Sequence, residues 1–276
     1  MTISQDQIKA FIAWLENEER AAATVEKYIR SASRFAAWLG EREITKEAVV
    51  RYKSTLEGAA ATVNGAISAV NSLLVFLGRS DCRVKQLRVQ RQTYRSEDRE
   101  LTKEELHKLI RTAEREGNDR LARAIETIAA TGIRVSELRY FTVEALRDRE
   151  VTITNKGKTR TVMLTKDLTA KLRQYARQRG IGSGPIFVTR GGRPLSRTQL
   201  WAEMKALCGE AGVEPTKVFP HNLRHLFAVV FYRLHKDIAK LADLLGHSSI
   251  NTTRIYLMET GKEHLRQLEA MRLVLC

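Results

Sequence analysis

Within the first eighty residues a capped apolar stripe at helical spacing appears four times, and that repetition restricts this part of the chain to a helical bundle. Ser4 followed by Gln7 reads as a capping box, in which each side chain satisfies a backbone N–H that the first helical turn leaves unpaired; Ile8, Phe11, Ile12 and Leu15 then recur on one face. Tyr28, Ile29, Ala32, Phe35, Ala36 and Leu39 form a second stripe, ended by Gly40. A shorter helix is expected from Lys46 to Leu56 before Gly58, and a fourth stripe runs through Val63, Ala66, Ile67, Val70, Leu73, Leu74 and Leu77 before Gly78. Four helices with short connections predict a compact domain over residues 1–80. Trp14, Tyr28, Phe35 and Trp38 lie on or beside the stripes, which places them in the core rather than on a base-stacking surface.

From Gly78 to Leu101 the periodicity fails while positive charge accumulates, so residues 81–100 read as a basic linker. Arg83, Lys85, Arg88, Arg91 and Arg95 are spaced to track phosphates; the alternative is a solvated connector. The charge is not confined there. The chain carries 47 Lys and Arg against 32 Asp and Glu, a formal +15; residues 1–95 hold 15 cations and 10 acids, and the remainder 32 and 22. A basic excess on both folded parts suits a protein that grips a polyanion from two sides.

Composition removes several other classes. At 43% hydrophobic and 29% charged residues, extended disorder is not expected. No stretch approaches a membrane span, and the amphipathic start around Ile3 to Leu15 is unlike a signal peptide. Cys82, Cys208 and Cys276 are odd in number and far apart, which predicts a reducing, cytoplasmic setting with neither a disulfide framework nor a zinc ribbon.

A second domain is predicted over residues 101–276. Thr102 with Glu105 forms another capping box ahead of Leu106, Leu109, Ile110 and Ala113; a helix follows from Arg120 to Ala130; Gly132 interrupts, and Val135 to Leu138 starts a short helix. The β-branched runs Val151–Thr154 and Thr161–Leu164 flank a basic hairpin tip at Asn155–Arg160, and Ile186–Val188 supplies a third strand. From Ser196 the pattern is helical again, with breaks at Gly212, Pro220 and Gly246. The fold expected is mainly α, with one small antiparallel sheet.

No phosphate-binding glycine loop, H-E-x-x-H or nucleophile elbow is present, so nucleotide hydrolysis, zinc proteolysis and esterase chemistry lose their usual support. Five of the six histidines fall in the last 56 residues: His221, His225, His235, His247 and His264. His221 and His225 are one helical turn apart but lack the glutamate of a zincin, so no metal is expected.

Four segments, in order, resemble the signature of the tyrosine recombinase and integrase family. They are Thr131-Gly-Ile-Arg-Val-Ser-Glu-Leu138, the hairpin Lys156-Gly157, Pro220-His-Asn-Leu-Arg-His225, and Leu245-Gly-His-Ser-Ser-Ile-Asn-Thr-Thr-Arg-Ile-Tyr256. The N-terminal bundle resembles the family's SAM-like core-binding domain, so the likeness covers nearly the whole chain. It implies a mixed α/β, mostly helical catalytic domain and a site-specific recombinase that cleaves and rejoins double-stranded DNA through a 3′-phosphotyrosyl intermediate and a Holliday junction, without ATP or an obligatory cofactor.

Transesterification at a phosphodiester needs a nucleophile, donors for a pentacoordinate phosphorane and a proton for the leaving 5′ oxygen. Arg134 and Arg224 are fork donors suited to the non-bridging oxygens, a surface ion pair being the other reading. The resemblance implies Tyr256 as nucleophile and Lys156 as general acid, with Lys158 the runner-up. His221 is suited to phosphate contact or proton transfer with the nucleophile, and His247 to donating to a non-bridging oxygen; either can instead be a core histidine. Glu137 is expected to orient a cationic partner, and His225, facing the same side as His221, to be structural.

Two departures bear on biological role. Leu257-Met258 follows the tyrosine, where chromosomal Xer recombinases tend to have a polar residue and histidine, and Ala228-Val-Val-Phe-Tyr232 is not their usual run. With a bundle beginning near residue 4 and no expected arm-binding domain, these favour a bacterial mobile-element integrase over an Xer-like chromosome or plasmid dimer resolvase. The resemblance further implies a homotetramer on two DNA sites, with an amphipathic helix over Glu263–Met271 and the apolar end Leu273–Cys276 docking on a neighbouring protomer. A non-catalytic DNA-binding module and a type IB topoisomerase are the rival readings.

Overall fold

A computed structural model describes residues 3–88, 100–155, 157–189, 191–257, 265–266 and 269–271. Arg91, Arg95, Lys156, residues 263–264 and 267–268 of the expected last helix, and the terminus 272–276 lie outside the described residues. Contacts divide the chain into two compact units, residues 1–91 and 92–276.

The first unit contains α1 (Gln5–Asn17), α2 (Ala22–Leu39), α3 (Lys46–Ser54) and α4 (Ala60–Phe76). The Ser4–Gln7 capping box is formed in both directions, and Thr45 caps α3. Phe11, Leu15, Phe35, Leu39, Ile67, Leu73 and Leu74 are fully buried in one core. Of the four aromatics singled out above, Phe35 is fully buried, while Trp14, Tyr28 and Trp38 are half-buried against that core.

The chain does not leave this bundle at Gly78. Ser80–Cys82 make a 3-10 turn with Cys82 buried, and Val84 is buried beside it. Two asparagines seven residues apart on α4 then hold the extended backbone: Asn71 exchanges hydrogen bonds with Val84 N and O (3.0 and 2.9 Å), and Asn64 does the same with Leu87 (2.7 and 2.9 Å). Arg83, Lys85 and Arg88 therefore project from a strap bound to the bundle, with exposed side chains. An amide side chain satisfies both backbone groups of one residue, which is why a segment without helical or strand periodicity is still ordered.

The second unit begins with α5 (Lys103–Arg115), opened by the Thr102–Glu105 capping box, and α6 (Asp119–Thr131), capped by Asn118. A 3-10 turn over Val135–Tyr140 and the short α7 (Ala145–Asp148) lead into the antiparallel pair β1 (Glu150–Asn155) and β2 (Lys158–Met163). There follow α8 (Lys166–Gln178), α9 (Arg197–Ala206), the one-turn α10 (Cys208–Ala211), α11 (Pro220–His235), α12 (Ile238–Leu245), α13 (Ile250–Arg254) and a 3-10 turn at Ile255–Leu257. The core runs from Leu109 and Ile125 on the first helices through Val151 and Ile153 to Phe187, Leu200 and Leu223. Among the described residues, no helix is long and apolar enough to cross a membrane.

Two expectations about the sheet are corrected. The hairpin tip is shorter than the six residues from Asn155 to Arg160, because Asn155 and Lys158 already pair across the ladder. Gly157, at φ 73°, supplies the positive φ that such a tight turn demands. Among the described residues, Ile186–Val188 does not form the expected third strand; single bridges form instead, Thr142 to Pro185 and Val188 to Pro194. Each bridge uses a proline, which has no N–H to continue a ladder, so Ile186 and Phe187 enter the core on an irregular extended segment.

Candidate active site

Three turns and one helix bring the sequence-selected residues together. At the end of α6, Gly132 adopts a left-handed conformation (φ 65°), and a Cβ placed there would come within 2.4 Å of Phe227 on α11. Glycine thus both turns the chain toward Arg134 and lets α11 close on α6. On α11, begun by Pro220 at its first position, His221, Arg224 and His225 share a face at one-turn spacing. The end of α12 at Gly246 (φ 64°) delivers His247, and α13, capped by Ser249, delivers Thr253 and then Tyr256.

Arg224 is 3% exposed and anchored at its rear by backbone. Its Nη1 donates to the Gly132 carbonyl at 2.7 Å and its Nη2 to the Leu245 carbonyl at 2.7 Å. Both carbonyls lie at helix C-termini, of α6 and α12, where the macrodipole is negative and the last C=O groups lack helical partners. Burial, reinforced by the Arg134 charge, draws its pKa down to about 10, so Arg224 stays cationic at neutral pH. The Tyr256 side chain beside it opposes that shift.

Nη2 of Arg224 also contacts His247 Nε2 at 2.9 Å. A guanidinium can only donate, so Nε2 accepts and the ring proton sits on Nδ1, which donates to Thr253 Oγ1 at 2.9 Å. Thr253 is fully buried. Burial, then the charges of Arg224, Arg134 and Arg160, push the His247 pKa down to about 4. The ring is therefore neutral across the ordinary range. Between pH 6.5 and 4 the unfolded chain takes up this proton before the folded one, so the contribution of His247 to stability falls as the pH falls. In an NMR titration its ring C–H resonances are expected to move near pH 4, and a midpoint above 6 would contradict this site.

Tyr256 is 7% exposed, on a floor of Ala228, Leu241 and Leu245. Three imidazoles surround its ring, His221 at 5.4 Å, His225 at 5.5 Å and His247 at 5.6 Å between centroids. His221 is exposed, whereas His225 is buried and meets Glu100 at 3.4 Å.

Glu137 is 1% exposed and accepts from two arginines. Arg134 reaches it through backbone N (2.7 Å) and Nη1 (3.0 Å), and Arg160 binds both oxygens at 3.0 and 2.8 Å. Burial alone would raise the carboxyl pKa; the bonds from Arg160 and from the Arg134 backbone outweigh it and hold the group below its ordinary 4.5. The resulting stability is present above pH 4.5 and is lost as the pH falls through the lower folded value. Replacing Glu137 by alanine strands two cations, and a loss of roughly 3–5 kcal/mol is expected in guanidinium unfolding, as for other broken buried pairs. A loss under about 1 kcal/mol would show that the network is not structural.

Arg134, Glu137, His221, Arg224, His225, His247 and Tyr256 are thus gathered at one place. Lys156 is outside the described residues; Lys158 opens β2 with an exposed side chain. Arg83, Lys85 and Arg88 belong to the other unit. Sequence reasoning missed Arg160 and Thr253. Arg160 had a signal, since it occupies the inward phase of β2, opposite the buried Ile153 and two residues from the buried Val162. A cation in that phase needs a buried partner. Among the described residues, no three His, Cys, Asp or Glu side chains converge to hold a metal ion.

Residues 99–263 match the profile of the phage integrase family. The chain is 37% identical over 161 residues to tyrosine recombinase XerD of Xanthomonas axonopodis pv. citri (strain 306); the match takes in 53% of this chain and 52% of that protein, about half its length. Tyrosine recombinase XerA of Pyrococcus furiosus (strain ATCC 43587 / DSM 3638 / JCM 8422 / Vc1) is 28% identical over 96% of this chain and 93% of its own. The crystal structure of a lambda integrase(75-356) dimer bound to a COC′ core site shares the fold, with a TM-score of 0.74 at 17% identity, covering 95% of this chain and 97% of that one.

Proposed function

This chain belongs to the phage integrase family, the tyrosine recombinases, and from that premise we propose that it is a site-specific DNA recombinase acting through a covalent 3′-phosphotyrosyl intermediate. The observation that carries the reading is the enclosure of a single phenol, Tyr256, by three histidines and by an arginine held from behind by two helix ends. Arg224 and Arg134 bind the non-bridging oxygens of the scissile phosphate and stabilise the charge of the phosphorane. The Tyr256 oxygen attacks phosphorus and gives its proton to His221, which is exposed and beside it. The P–O5′ bond breaks, and Lys156, by the family resemblance, protonates the departing 5′ oxygen. The bond energy is conserved in the phosphotyrosine, so the 5′ hydroxyl of another strand reverses the step.

His247 enters in a second capacity. Burial and then the charges of Arg224, Arg134 and Arg160 hold it neutral, and a phosphate neutralises those cations, so arrival of the anion raises its pKa and frees it from the Arg224 donor. It then donates to a non-bridging oxygen. The exposed Arg83, Lys85 and Arg88, and Arg91 and Arg95 beyond them, contact backbone phosphates and make binding steeply salt-dependent.

The deciding experiment incubates the full chain with nicked suicide duplexes built from inverted repeats beside its gene. A covalent, protease-sensitive adduct is expected; binding without an adduct on every such duplex favours a non-catalytic module. The finer parts of the proposal rest on the resemblance: a cytoplasmic, mobile-element integrase assembling as a homotetramer on two DNA sites. A complex that stays at one chain per site on paired-site DNA in sedimentation would rule out the tetramer. The Xer relatives support the dimer-resolvase alternative, and repeats flanking a mobile element rather than a replication terminus separate the two.

A further inference from the structure

The motifs of the sequence do not include Arg160, yet it ties together three segments of the centre. From β2 it reaches across to Glu137 and binds both carboxylate oxygens. Its guanidinium lies against Gly246, where a Cβ would come within 2.7 Å of Nη1 and 2.9 Å of Cδ, so any side chain there would have to displace the Arg160 head. Gly246 is the residue before His247. The Arg160 side chain is 15% exposed, against 38% for Arg134.

We propose that Arg160 is a positioning residue of this centre, taking enough of Glu137 that Arg134 makes one side-chain bond to that carboxylate and keeps its remaining donors for phosphate. The inference rests on the DNA-cleaving reading of the site. Glu137 has almost no water and four hydrogen bonds, two from Arg134 and two from Arg160. Without Arg160 the buried carboxylate loses half its donors, and the cation left to satisfy it is Arg134. A fork-on-fork pairing of Arg134 with Glu137 turns its second Nη inward and removes a phosphate ligand. Lysine at 160 keeps the charge but offers one nitrogen in place of a planar fork, so it cannot hold both oxygens from the same direction. Because Arg160 sits in the second strand of the hairpin, paired with Ile153, the same contact fixes that hairpin against the turn bearing Arg134.

The test uses full-length Arg160→Gln and Arg160→Lys proteins, with thermal melting to confirm folding. On a suicide duplex that the unaltered chain cleaves, each variant is expected to bind with half-saturation within about twofold, while single-turnover cleavage at saturating protein falls about tenfold or more, the scale of a misplaced catalytic group. In the Glu137→Gln/Arg160→Gln double variant the loss should not exceed that of the slower single variant, since both act through Arg134. Unchanged cleavage in Arg160→Gln, losses that multiply in the double variant, or a loss confined to half-saturation would overturn the proposal. If Arg160→Gln does not fold, Arg160→Lys is read by the same criteria. If the unaltered chain forms no adduct on any duplex, the cleavage reading fails separately, and a crystal structure of the variant decides the positioning: Arg134 drawn onto both oxygens of Glu137 upholds it, and Arg134 in its present single contact overturns it.

Discussion

In a Tyr256→Phe protein, covalent capture of suicide DNA is expected to disappear while DNA affinity and folding stay close to those of the unaltered chain. The ring is what the fold uses: it packs on Ala228, Leu241 and Leu245 and lies among the imidazoles of His221, His225 and His247. Phenylalanine keeps all of that. The hydroxyl faces Arg224, which keeps its two carbonyl acceptors without it, so its removal costs at most on the order of 1 kcal/mol. Catalytically, nothing replaces it, since a phenyl ring has no oxygen to bond to phosphorus. The measurement is denaturing electrophoresis of the protein–DNA adduct beside a filter-binding curve. An adduct that persists in the variant would assign the nucleophile to another residue.

The next largest effect is expected for Arg224→Lys, which should slow single-turnover cleavage by about a thousandfold or more, the scale of losing preorganised donors at a developing oxyanion. Charge is preserved, so the argument is one of geometry. Arg224 serves the Gly132 carbonyl, the Leu245 carbonyl and His247 Nε2 from two terminal nitrogens, and still presents N–H groups toward Tyr256. A single ammonium at the end of a flexible stem cannot span two helix ends and also face a phosphate. One carbonyl at the end of α6 or α12 is then left buried without a donor, at a cost of about 1–3 kcal/mol. Lower stability and slower cleavage should therefore appear together. Cleavage within about tenfold of the unaltered chain would mean that charge, not the fork, is what this position supplies.

Much of the architecture was legible in local pattern. The capping boxes at Ser4–Gln7 and Thr102–Glu105, the apolar stripes behind them and the breaks at Gly132 and Gly246 each lie where a helix begins or ends. These features act within a few residues, so spacing alone exposes them. The errors had a common cause in longer-range pairing. Ile186–Val188 has strand composition, but it is bridged only at its edges, through Pro185 to Thr142 and through Val188 to Pro194; residues 80–87 lack any period, yet Asn64 and Asn71 bind them through side-chain amides from α4.

The centre divides in the same way. Its motif residues were readable because side-chain identity at fixed spacing survives in a sequence, and family likeness supplied the order of the segments. What holds those residues was not readable. The anchors of Arg224 are backbone carbonyls, which every residue possesses and no composition reveals. The partner of Glu137 lies 23 residues away on a hairpin whose register had to be known first, and the hydroxyl that sets the His247 tautomer looks like any buried threonine until α13 is folded beneath it. By itself, then, the sequence determined the helices, their limits and the chemical inventory, because propensity, capping and periodicity are local. Only the tertiary structure decided which groups are buried, which nitrogen of His247 carries the proton and which cation steadies Arg134, because burial and hydrogen-bond partnership arise between segments distant in the chain.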